Sequence, residues 1–464
     1  MRFLSRSVLT CWVASAFVVG LDVDINSPDS VKAAAKVVAK NLMSYYHGNE
    51  PGQTPGILPG PPDDNKGPYY WWEGGALWGT MIDYWFYTKD TNYNNDTEKA
   101  IVWQAGAPTN SFMPPNWTAS LGNDDQGFWG MTAMLAAENN FQNPPADDPQ
   151  WLALAQAVFN TQAARWDTEE CNGGLRWQVH YFAPNGGYNY KNTIASGIFF
   201  NMGARLARYT NNDTYAQWAT KAWEWVQGVG YVDEDYNIWD GARIEENCTD
   251  FNKAQYGYSP AVLIQGLGFM YNYTNGSAYW GDRITNLTRR TLEVFFPNGT
   301  VVEPTCEHGT TASCTTDAYS FKGYLIRWLA QTTKMAPLVH DTIMTALRTS
   351  AQGAIKNCQD DGTCGFTWTG SAYDGNTGAG QQMNALSALL ILLADTGTVG
   401  VPVTNNTGGT SAGNPDAGSE PEVLPFFTPL SRRDQAGAGV LTAVIVIVLV
   451  SGLFWMGSHT GEGS

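Results

Sequence analysis

Apolar residues recur along most of this chain with the 3.6-residue period of an α-helix, and rarely with the alternation of a strand. The first such stretch opens at Ser27-Pro28, a capping residue followed by a proline that suits the first helical turn. Its apolar residues form one stripe, at Val31, Ala34, Ala35, Val38, Leu42 and Tyr45. The same reading predicts twelve helices, near residues 27–46, 72–87, 92–104, 126–139, 149–166, 192–210, 213–229, 259–273, 277–296, 316–332, 337–357 and 380–395. Leu175 to Tyr181 is one of the few runs with strand alternation.

The even-numbered predicted helices share a composition of their own. Each begins after a segment of glycine, aromatic and amide or acidic residues, and each is rich in glycine and alanine. These starts recur roughly every 54 to 67 residues, a spacing that fits a helical-hairpin repeat. Six hairpins with small-residue helices inside and amphipathic helices outside form an all-α (α/α)6 toroid, whose inner N-termini open on one face and line a groove. An irregular helical bundle is the alternative that this pattern leaves open.

Composition narrows the range of functions. The chain has 464 residues and a formal net charge of −17, which argues against nucleic acid or an anionic membrane surface as the main partner. It contains 19 Trp, 22 Tyr and 19 Phe but only 15% charged residues, which excludes a disordered or coiled-coil protein. Rings that are partly exposed in a groove would stack on an amphipathic ligand such as a sugar. A large aromatic core is the alternative explanation for most of them.

The amino terminus has the features of a secretory signal peptide over residues 1–20. Arg2 and Arg6 precede an apolar run from Val8 to Gly20, and small or neutral residues there fit cleavage before Leu21. We therefore expect a secreted mature chain. Nine Asn-x-Ser/Thr sequons fit a glycosylated surface in that compartment, at Asn95, Asn116, Asn212, Asn247, Asn272, Asn275, Asn286, Asn298 and Asn405.

The carboxyl terminus favours a lipid anchor. Residues 401–439 are rich in Gly, Ala, Pro, Ser and Thr, which predicts a linker, and an apolar run follows from Val440 to Met456. As a transmembrane helix this run is short, and the basic pair Arg432 and Arg433 lies on the lumenal side, against the positive-inside rule. Small residues, a spacer and an apolar tail instead favour a glycosylphosphatidylinositol (GPI) attachment signal over 440–464, although residues 457–464 are polar. We expect a cell-surface protein held at the membrane by a GPI anchor.

The cysteines predict disulfides. Cys11 leaves with the signal peptide, so six cysteines remain in an oxidising compartment. The close pairs Cys306/Cys314 and Cys358/Cys364 would each close a small loop and leave Cys171 with Cys248, although fifteen connectivities are formally open. The five histidines form no metal-binding motif, so we expect no metal and no cofactor.

The strongest chemical signal is a pair of adjacent acids, Asp124 and Asp125, in an otherwise uncharged aromatic segment at a helix start. Adjacent side chains there diverge by roughly 100°, so they can flank one bond, as the carboxyl groups of a retaining glycosidase do at roughly 5 to 5.5 Å. The helix N-terminus favours an ionised carboxylate, which suits a nucleophile, whereas rings and a neighbouring charge raise the pKa of the second acid, which suits an acid/base. A plain helix cap and a calcium loop are the alternatives.

The acids lie in the segment Asn123-Asp124-Asp125-Gln126, which Trp129 follows. Four further segments elsewhere in the sequence combine aromatic, polar and glycine residues: Trp72-Glu73-Gly74, Lys191 to Gly197, Trp239-Asp240-Gly241 and Phe321-Lys322-Gly323. With these segments, residues 21–400 resemble glycoside hydrolase family 76, the endo-α-1,6-mannanases. The resemblance implies an (α/α)6 catalytic domain in which Asp124 is the nucleophile and Asp125 the general acid/base.

The signal peptide, sequons and GPI-like tail make the chain similar to the fungal cell-wall branch of that family. This implies a retaining endo-α-1,6-mannosidase or transglycosidase that acts on α-mannan or on the mannose core of GPI glycans during cell-wall biogenesis. The implied partners are α-mannoside glycans, GPI-anchored proteins and a β-glucan acceptor, and we expect a monomer. A catalytically silent mannan-binding wall protein is the rival hypothesis, because a binding module needs the rings but not the two acids.

The candidate substrate-binding residues come from the same segments. For stacking on sugar rings they are Trp72, Trp129 and Trp177, and for hydrogen bonds to hydroxyl groups they are Glu73, Asn123, Gln126, Lys191, Asn192, Asp240 and Lys322. Trp223 and Trp225 lie within a predicted outer helix and are expected in the core.

Overall fold

The computed structural model describes residues 20–62, 65–117, 120–309, 311–396, 400–419 and 432–459. The predicted signal peptide, apart from Gly20, lies outside the described residues. The chain divides into one compact unit that ends at Ser419 and a second unit that begins at Glu420. The first unit carries all the candidate chemistry.

All twelve predicted helices are present in the first unit. Their bounds are α1 (Pro28–Met43), α2 (Trp71–Thr88), α3 (Asn94–Gln104), α4 (Asn123–Glu138), α5 (Trp151–Ala164), α6 (Thr193–Thr210), α7 (Asp213–Gly228), α8 (Tyr258–Tyr273), α9 (Ala278–Phe295), α10 (Phe321–Met335), α11 (His340–Lys356) and α12 (Ala379–Leu390). Three starts differ from the prediction by three residues or more. Helix α4 begins three residues before position 126. Helix α10 begins after a 3-10 turn, Ala318–Ser320, instead of at 316, and α11 begins at His340, after the 3-10 turn Pro337–Val339, instead of at 337.

The even-numbered helices form a closed inner ring. Each of them contacts the next, from α2 through α4, α6, α8 and α10 to α12, and α12 contacts α2 again. The odd-numbered helices α3, α5, α7, α9 and α11 pack outside the inner helices that precede them, and α1 packs on α12. The predicted (α/α)6 toroid is therefore confirmed.

Small residues set the spacing of the inner ring. A methyl group on Gly75 of α2 would lie 3.0 Å from the indole of Trp129 on α4. On the other side of α4, a methyl group on Gly127 would lie 2.5 Å from the side chain of Ile198 on α6. These glycines therefore let three consecutive inner helices approach closely, which accounts for the glycine content that marked them in the sequence.

Two buried ion pairs tie the inner helices together. Arg205 on α6 contacts Glu138 on α4 at 2.6 Å, and Arg327 on α10 contacts Asp83 on α2 at 2.6 Å. Helices α2 and α10 flank α12 in the ring, so the second pair links two helices that are not adjacent along it. Removing one partner of such a pair leaves an uncompensated charge in the interior, so each pair fixes the arrangement of the ring.

Short strands brace the groove face. Strands β1 (Tyr190–Asn192), β2 (Gly241–Arg243) and β3 (Phe251–Asn252) form an antiparallel sheet in which Asn192 pairs with Gly241, while β4 (Glu307–His308) pairs with β5 (Thr311–Ala312). The alternating run 175–181 forms only isolated bridges, from Arg176 to Lys191 and from Gln178 to Gly122. The second of these bridges joins the run directly to the start of α4.

Three disulfides have the predicted pairing. Cys171 is bonded to Cys248, Cys306 to Cys314, and Cys358 to Cys364. The first links the loop after α5 to the loop after β2, and the second spans the β4–β5 hairpin. None of the nine sequon asparagines is buried; all are exposed except Asn286, which is half-buried.

Residues 400–419, nearly all within the predicted linker, form a strap along α4, α5 and α6. Val403 donates its backbone N–H to the Glu138 carbonyl at 2.8 Å, and the buried Ser411 hydroxyl accepts one from Leu152 at 2.9 Å. Asn160 donates to the carbonyls of Pro415 and Ala417, each at 2.8 Å. Composition predicted a linker because a polar, glycine-rich sequence does not indicate which hydrogen-bond partners it has on the surface of the domain.

The second unit contains one helix, α13 (Arg432–His459). Within the described part of the chain, no helix is long and apolar enough to cross a membrane.

Candidate active site

The site is built on the first turn of α4. Gly122 is the N-cap in an extended conformation, and its N–H donates to Asp125 Oδ2 at 2.8 Å. The N–H of Asp125 in turn donates to Asp124 Oδ1 at 3.0 Å. This local capping explains why the helix begins before the acids, which places both of them in its first turn, where the helix dipole favours negative charge.

A neighbouring strand-like segment holds this turn in place. Asn123 donates its backbone N–H to the Trp177 carbonyl at 2.8 Å, and Val179 donates to the Leu121 carbonyl at 3.0 Å. The Trp177 indole lies near the Asp124 carboxylate and lowers its pKa. The start of α4 is therefore fixed to this segment on both sides of Gly122.

Two of the predicted substrate-binding amides support the turn from inside. Asn123 donates to the Arg176 carbonyl at 2.8 Å and accepts from Arg165 Nε at 2.9 Å. Gln126 is fully buried, donates to the Ser111 carbonyl at 2.8 Å and also contacts Arg165. With these partners both amides hold the start of α4 instead of facing the groove.

Both acidic side chains fold back over one glycine. A methyl group on Gly122 would lie 2.1 Å from Asp124 Oδ1 and 3.1 Å from Asp125 Oδ2. The backbone angles of Gly122, φ −92° and ψ 154°, are open to any residue, so it is the space and not the conformation that requires glycine.

A third carboxylate, Asp317, faces the pair from the segment before α10. Its Oδ1 accepts a hydrogen bond of 3.1 Å from the Trp72 indole, and its charge acts on Asp125. The sequence pattern did not single out Asp317, because the helix predicted from 316 placed it within a helical turn. An isolated acid just ahead of an inner helix that starts with Phe321 was the signal that could have identified it.

Burial and mutual repulsion raise the pKa values of these acids. Burial raises the pKa of Asp125 to about 7; the Gly122 N–H lowers it and the Asp317 carboxylate raises it. Burial also raises the pKa of Asp317 to about 6, against the hydrogen bond from Trp72. Burial and then the charge of Asp125 raise the pKa of Asp124. The group therefore retains protons near neutral pH, as an acid catalyst requires.

Glu73 lies beneath this group. It is fully buried, its Oε2 accepts the Tyr70 N–H at 2.8 Å, and its Oε1 has no hydrogen-bond partner. Burial and the charge of Asp317 raise its pKa well above the usual range. Glu73 is thus placed close to Asp317, below the surface of the groove.

Aromatic rings form the walls around the acids. The Trp72 ring lies 4.5 Å from that of Phe128, between centroids, and Tyr258 stacks on Phe321 at 4.1 Å. Burial raises the pKa of Tyr258, as do the charges of Asp240, Asp124 and Asp317 in that order, so this phenol faces carboxylates on three sides. Trp177 is half-buried beside Asp124.

Asp240 lies farther along the groove, on the three-stranded sheet. Its Oδ2 accepts from the Tyr190 hydroxyl at 2.6 Å and from Asn252 at 3.1 Å, and the carboxylate is half-buried. Burial raises the pKa of Asp240, and the hydrogen bonds from Tyr190 and Asn252 lower it. Among the proposed hydroxyl-binding residues, it is one that the fold leaves partly open to solvent.

Four other predicted contacts lie inside the protein. Lys191 is buried against Asp167 at 3.2 Å, and Lys322 against Glu307 at 2.6 Å. Asn192 caps α6 by accepting from the Ala195 N–H at 3.2 Å. Trp129 is fully buried between α2 and α4. The structure therefore does not bring these four side chains to the groove, since internal partners occupy them. Trp223 and Trp225 are buried, as expected.

The comparisons with known proteins agree with this architecture. The model of the family described as "Glycosyl hydrolase family 76" matches residues 30–406. The chain belongs to glycosyl hydrolase family 76. It is 42% identical over 450 residues to a Saccharomyces cerevisiae protein named "Mannan endo-1,6-alpha-mannosidase DCW1", which covers 96% of each chain. It is 39% identical to the DFG5 mannan endo-1,6-alpha-mannosidase of the same yeast, over 94% of each chain.

Solved structures of this family extend the likeness. The crystal structure of Dfg5 from Chaetomium thermophilum, in complex with glucosamine, is 49% identical, has a TM-score of 0.80 and covers 85% of this chain and 97% of its own. An α-1,6-mannanase, GH76A of Salegentibacter, is 16% identical with a TM-score of 0.60 and covers 79% of this chain and 99% of its own. The second likeness shows that the fold extends to bacterial relatives of low identity.

Proposed function

We propose that this protein is a retaining endo-α-1,6-mannosidase or transglycosidase that acts on α-mannan or on the mannose core of GPI glycans in the fungal cell wall. The observation that carries the proposal is the pair Asp124 and Asp125 in the first turn of α4, with the Asp317 carboxylate and the Trp72 ring that binds it close by. The names of the yeast relatives, which are mannan endo-1,6-alpha-mannosidases, support the linkage and the substrate.

The two acids suit the two steps of a double displacement. In the first, the Asp125 carboxyl protonates the glycosidic oxygen, the bond from that oxygen to the anomeric carbon breaks, and Asp124 forms an ester to the same carbon. In the second, Asp125 takes a proton from water or a sugar hydroxyl, whose oxygen displaces Asp124. Two inversions leave the configuration retained.

The hydrogen bonds support this assignment of roles. Asp124 accepts the Asp125 N–H, and a donor of this kind favours the ionised form that a nucleophile needs, against the burial and the Asp125 charge that raise the pKa of Asp124. Asp125 accepts one N–H and faces the Asp317 charge, which favours its protonated form. A bacterial α-1,6-mannanase structure of this fold carries asparagine at two adjacent aspartates in an inactive variant, which supports a paired-acid mechanism.

Asparagine variants of the two acids test this division of labour. Asp124→Asn removes the nucleophile, so activity should vanish on every mannoside. Asp125→Asn removes the proton donor, so natural mannosides should fail while an aryl mannoside with a good leaving group still forms the covalent intermediate. Azide should rescue turnover in Asp125→Asn with retained configuration, whereas in Asp124→Ala it should give the inverted product.

Three results would count against the proposal. A rescue pattern exchanged between the two positions would reverse the roles of Asp124 and Asp125. Near-normal turnover in both variants would make them helix-capping residues. Binding of mannan by a wild-type protein that turns over no mannoside would favour a silent mannan-binding wall protein.

The second-step acceptor distinguishes hydrolysis from transfer. Water as the acceptor gives hydrolysis. For transfer, we propose a GPI-anchored protein as the donor and a β-glucan hydroxyl as the acceptor, which the resemblance to the fungal cell-wall branch implies. The purified folded unit is incubated with a GPI-core mannoside and a β-glucan oligosaccharide, and the products are weighed. A joined product supports transfer, and free mannoside alone supports hydrolysis.

For the cellular location, we propose a secreted, monomeric protein held at the cell surface by a GPI anchor. The lumenal basic pair Arg432 and Arg433 and the apolar run that follows support this. Phosphatidylinositol-specific phospholipase should release the protein from membranes. A mature protein that retains residues 440–456 would contradict the anchor.

A further inference from the structure

The segment that braces the catalytic turn continues into a loop with two exposed aromatic side chains, Tyr181 and Phe182. Tyr181 is 57% exposed and Phe182 36% exposed. Among the described residues up to Ser419, no other aromatic residue is as exposed as Tyr181, and the next is Trp103 at 47%. Exposed large rings that adjoin one another, unlike scattered ones, mark binding surfaces.

The two rings are held in place by a buried support. The Phe182 ring stacks on the imidazole of His180 with centroids 5.1 Å apart and planes at 1°. The Tyr181 ring meets Phe182 edge-on at 5.3 Å. His180 itself is 4% exposed, and burial and the nearby Arg165 lower its pKa, so the support is neutral at physiological pH. A preordered, uncharged surface loses little conformational entropy when a ligand binds.

The backbone connects this surface directly to the reacting acids. Ala183 donates to the His180 carbonyl at 3.0 Å, which makes a turn with the two rings at its tip. The base of the loop is closed by Gln178, whose side chain accepts the Gly187 N–H at 3.0 Å. Since Tyr181 lies four positions after Trp177, their backbones are at most about 14 Å apart.

We propose that Tyr181 and Phe182 form a second mannoside-binding surface at the rim of the groove, which stacks on a sugar of the substrate chain beyond the linkage that is cleaved. The inference rests on the proposed function for the nature of the chain. A pyranose has an apolar face that packs on a ring and hydroxyl edges that stay in water, so it fits rings that are half open to solvent. A surface continuous with the groove is reached only by substrates long enough to span both.

The test compares substrates of increasing length. Initial rates are measured on α-1,6-linked mannosides from the dimer to the hexamer, with the wild type, Tyr181→Ala and the Tyr181→Ala/Phe182→Ala double variant. We expect kcat/KM of the wild type to rise with length. In the variants the loss should grow with length, to about three- to tenfold on the hexamer, and should appear in KM instead of kcat.

Two matched variants control for folding and for exposed rings in general. Tyr279→Ala removes a tyrosine that is 37% exposed on the outer helix α9, and its length dependence should equal that of the wild type. Tyr181→Phe keeps the ring and should keep the length dependence. An unfolding midpoint for each variant shows that the loop change leaves the toroid intact.

Direct binding separates this inference from the proposed function. Mannohexaose is titrated into Asp124→Asn and into Asp124→Asn/Tyr181→Ala, with tryptophan fluorescence as the signal. Weaker binding in the second protein supports the surface even if the wild type turns over no mannoside. An unchanged affinity, an unchanged length profile, or a loss confined to transfer onto β-glucan would overturn it.

Discussion

The protonation of Asp125 depends on its immediate neighbours, Gly122 and Asp317. Its carboxylate accepts one backbone N–H, from Gly122, and faces a second negative charge, Asp317, across the groove. Burial raises the pKa of Asp125 to about 7. The Gly122 N–H stabilises the ionised form and lowers the pKa, whereas the Asp317 charge opposes ionisation and raises it. The residue therefore carries a proton over the acidic and neutral range.

Asp317→Asn tests this electrostatic coupling. Asparagine removes the negative charge but keeps an oxygen for the Trp72 indole. With less repulsion the pKa of Asp125 falls, so Asp125 loses its proton at a lower pH. We expect the alkaline limb of the kcat/KM profile to move to lower pH by roughly 0.5 to 1 unit.

The control for this prediction is Asp282→Asn, an exposed acid on the outer helix α9. It should leave the profile unchanged. The other titratable groups that face the site remain in both variants, namely Glu73, Asp124, Asp240, Tyr256, Tyr258 and Tyr324. An alkaline limb that stays in place in Asp317→Asn would mean that Asp317 does not influence the acid.

Gly122→Ala tests the space over which both acids fold. The added methyl group would collide with Asp124 Oδ1 at 2.1 Å, so at least one carboxylate must turn away, while the backbone conformation remains allowed. We expect kcat to fall by about a hundredfold or more with little change in KM. The unfolding midpoint should stay close to that of the wild type, and a variant with normal kcat would show that the carboxylates do not need this geometry.

The sequence predicted the paired acids but misjudged several of their neighbours. Asp124 and Asp125 were recognisable because two charges stood alone in an apolar segment. Lys191 and Lys322 also stand in segments with few other charges, but their partners Asp167 and Glu307 come from other parts of the chain, and the local pattern does not indicate such contacts. Asp317 was missed because the pattern placed it within a helical turn, and its contact with Trp72, from a distant part of the chain, leaves no local signal.

At the level of elements, the periodic pattern predicted the helices well and their starts less well. The apolar stripe is a property of the whole helix, whereas a start depends on one or two capping contacts. Helix α4 begins early because Asp125 caps Gly122, and α10 begins late because Ala318–Ser320 forms a tighter turn. The first of these differences decides where the catalytic pair lies.

The strap over residues 400–419 should contribute measurably to stability. A chain that ends at residue 400 lacks the strap's hydrogen bonds to α4, α5 and α6 and exposes Leu152. The conformational entropy lost when the strap is ordered offsets part of the stability that these contacts contribute. We expect the free energy of unfolding to fall by about 2 kcal/mol in urea titrations. A chain that ends at Ser419 is the control and should match the full-length chain; equal stability of the two shortened chains would show that the strap contributes nothing.

At the level of the whole molecule, the three disulfides differ in the length of chain they close. Cys171–Cys248 spans 77 positions and Cys358–Cys364 spans 6. Because the entropy removed from the unfolded chain grows with the logarithm of loop length, replacing the first pair by alanine should destabilise the protein by about 2 kcal/mol more than replacing the second. Denaturant unfolding of the two double variants, with the other bridges kept oxidised, checks this. The reverse order would mean that native contacts and not loop entropy decide.

The contact between α12 and α2 also affects how the protein is made. Synthesis delivers α2 first, and roughly 300 more residues must be translated before α12 is complete, which takes about 15 to 60 s at ordinary elongation rates. During that interval the face of α2 that α12 covers has no partner, and the large buried side chains along this helix, such as Leu77 and Trp78, are only partly enclosed. The nascent toroid is thus an open arc until its last hairpin has been synthesised, and its unclosed edge stays open to other chains for as long as translation continues.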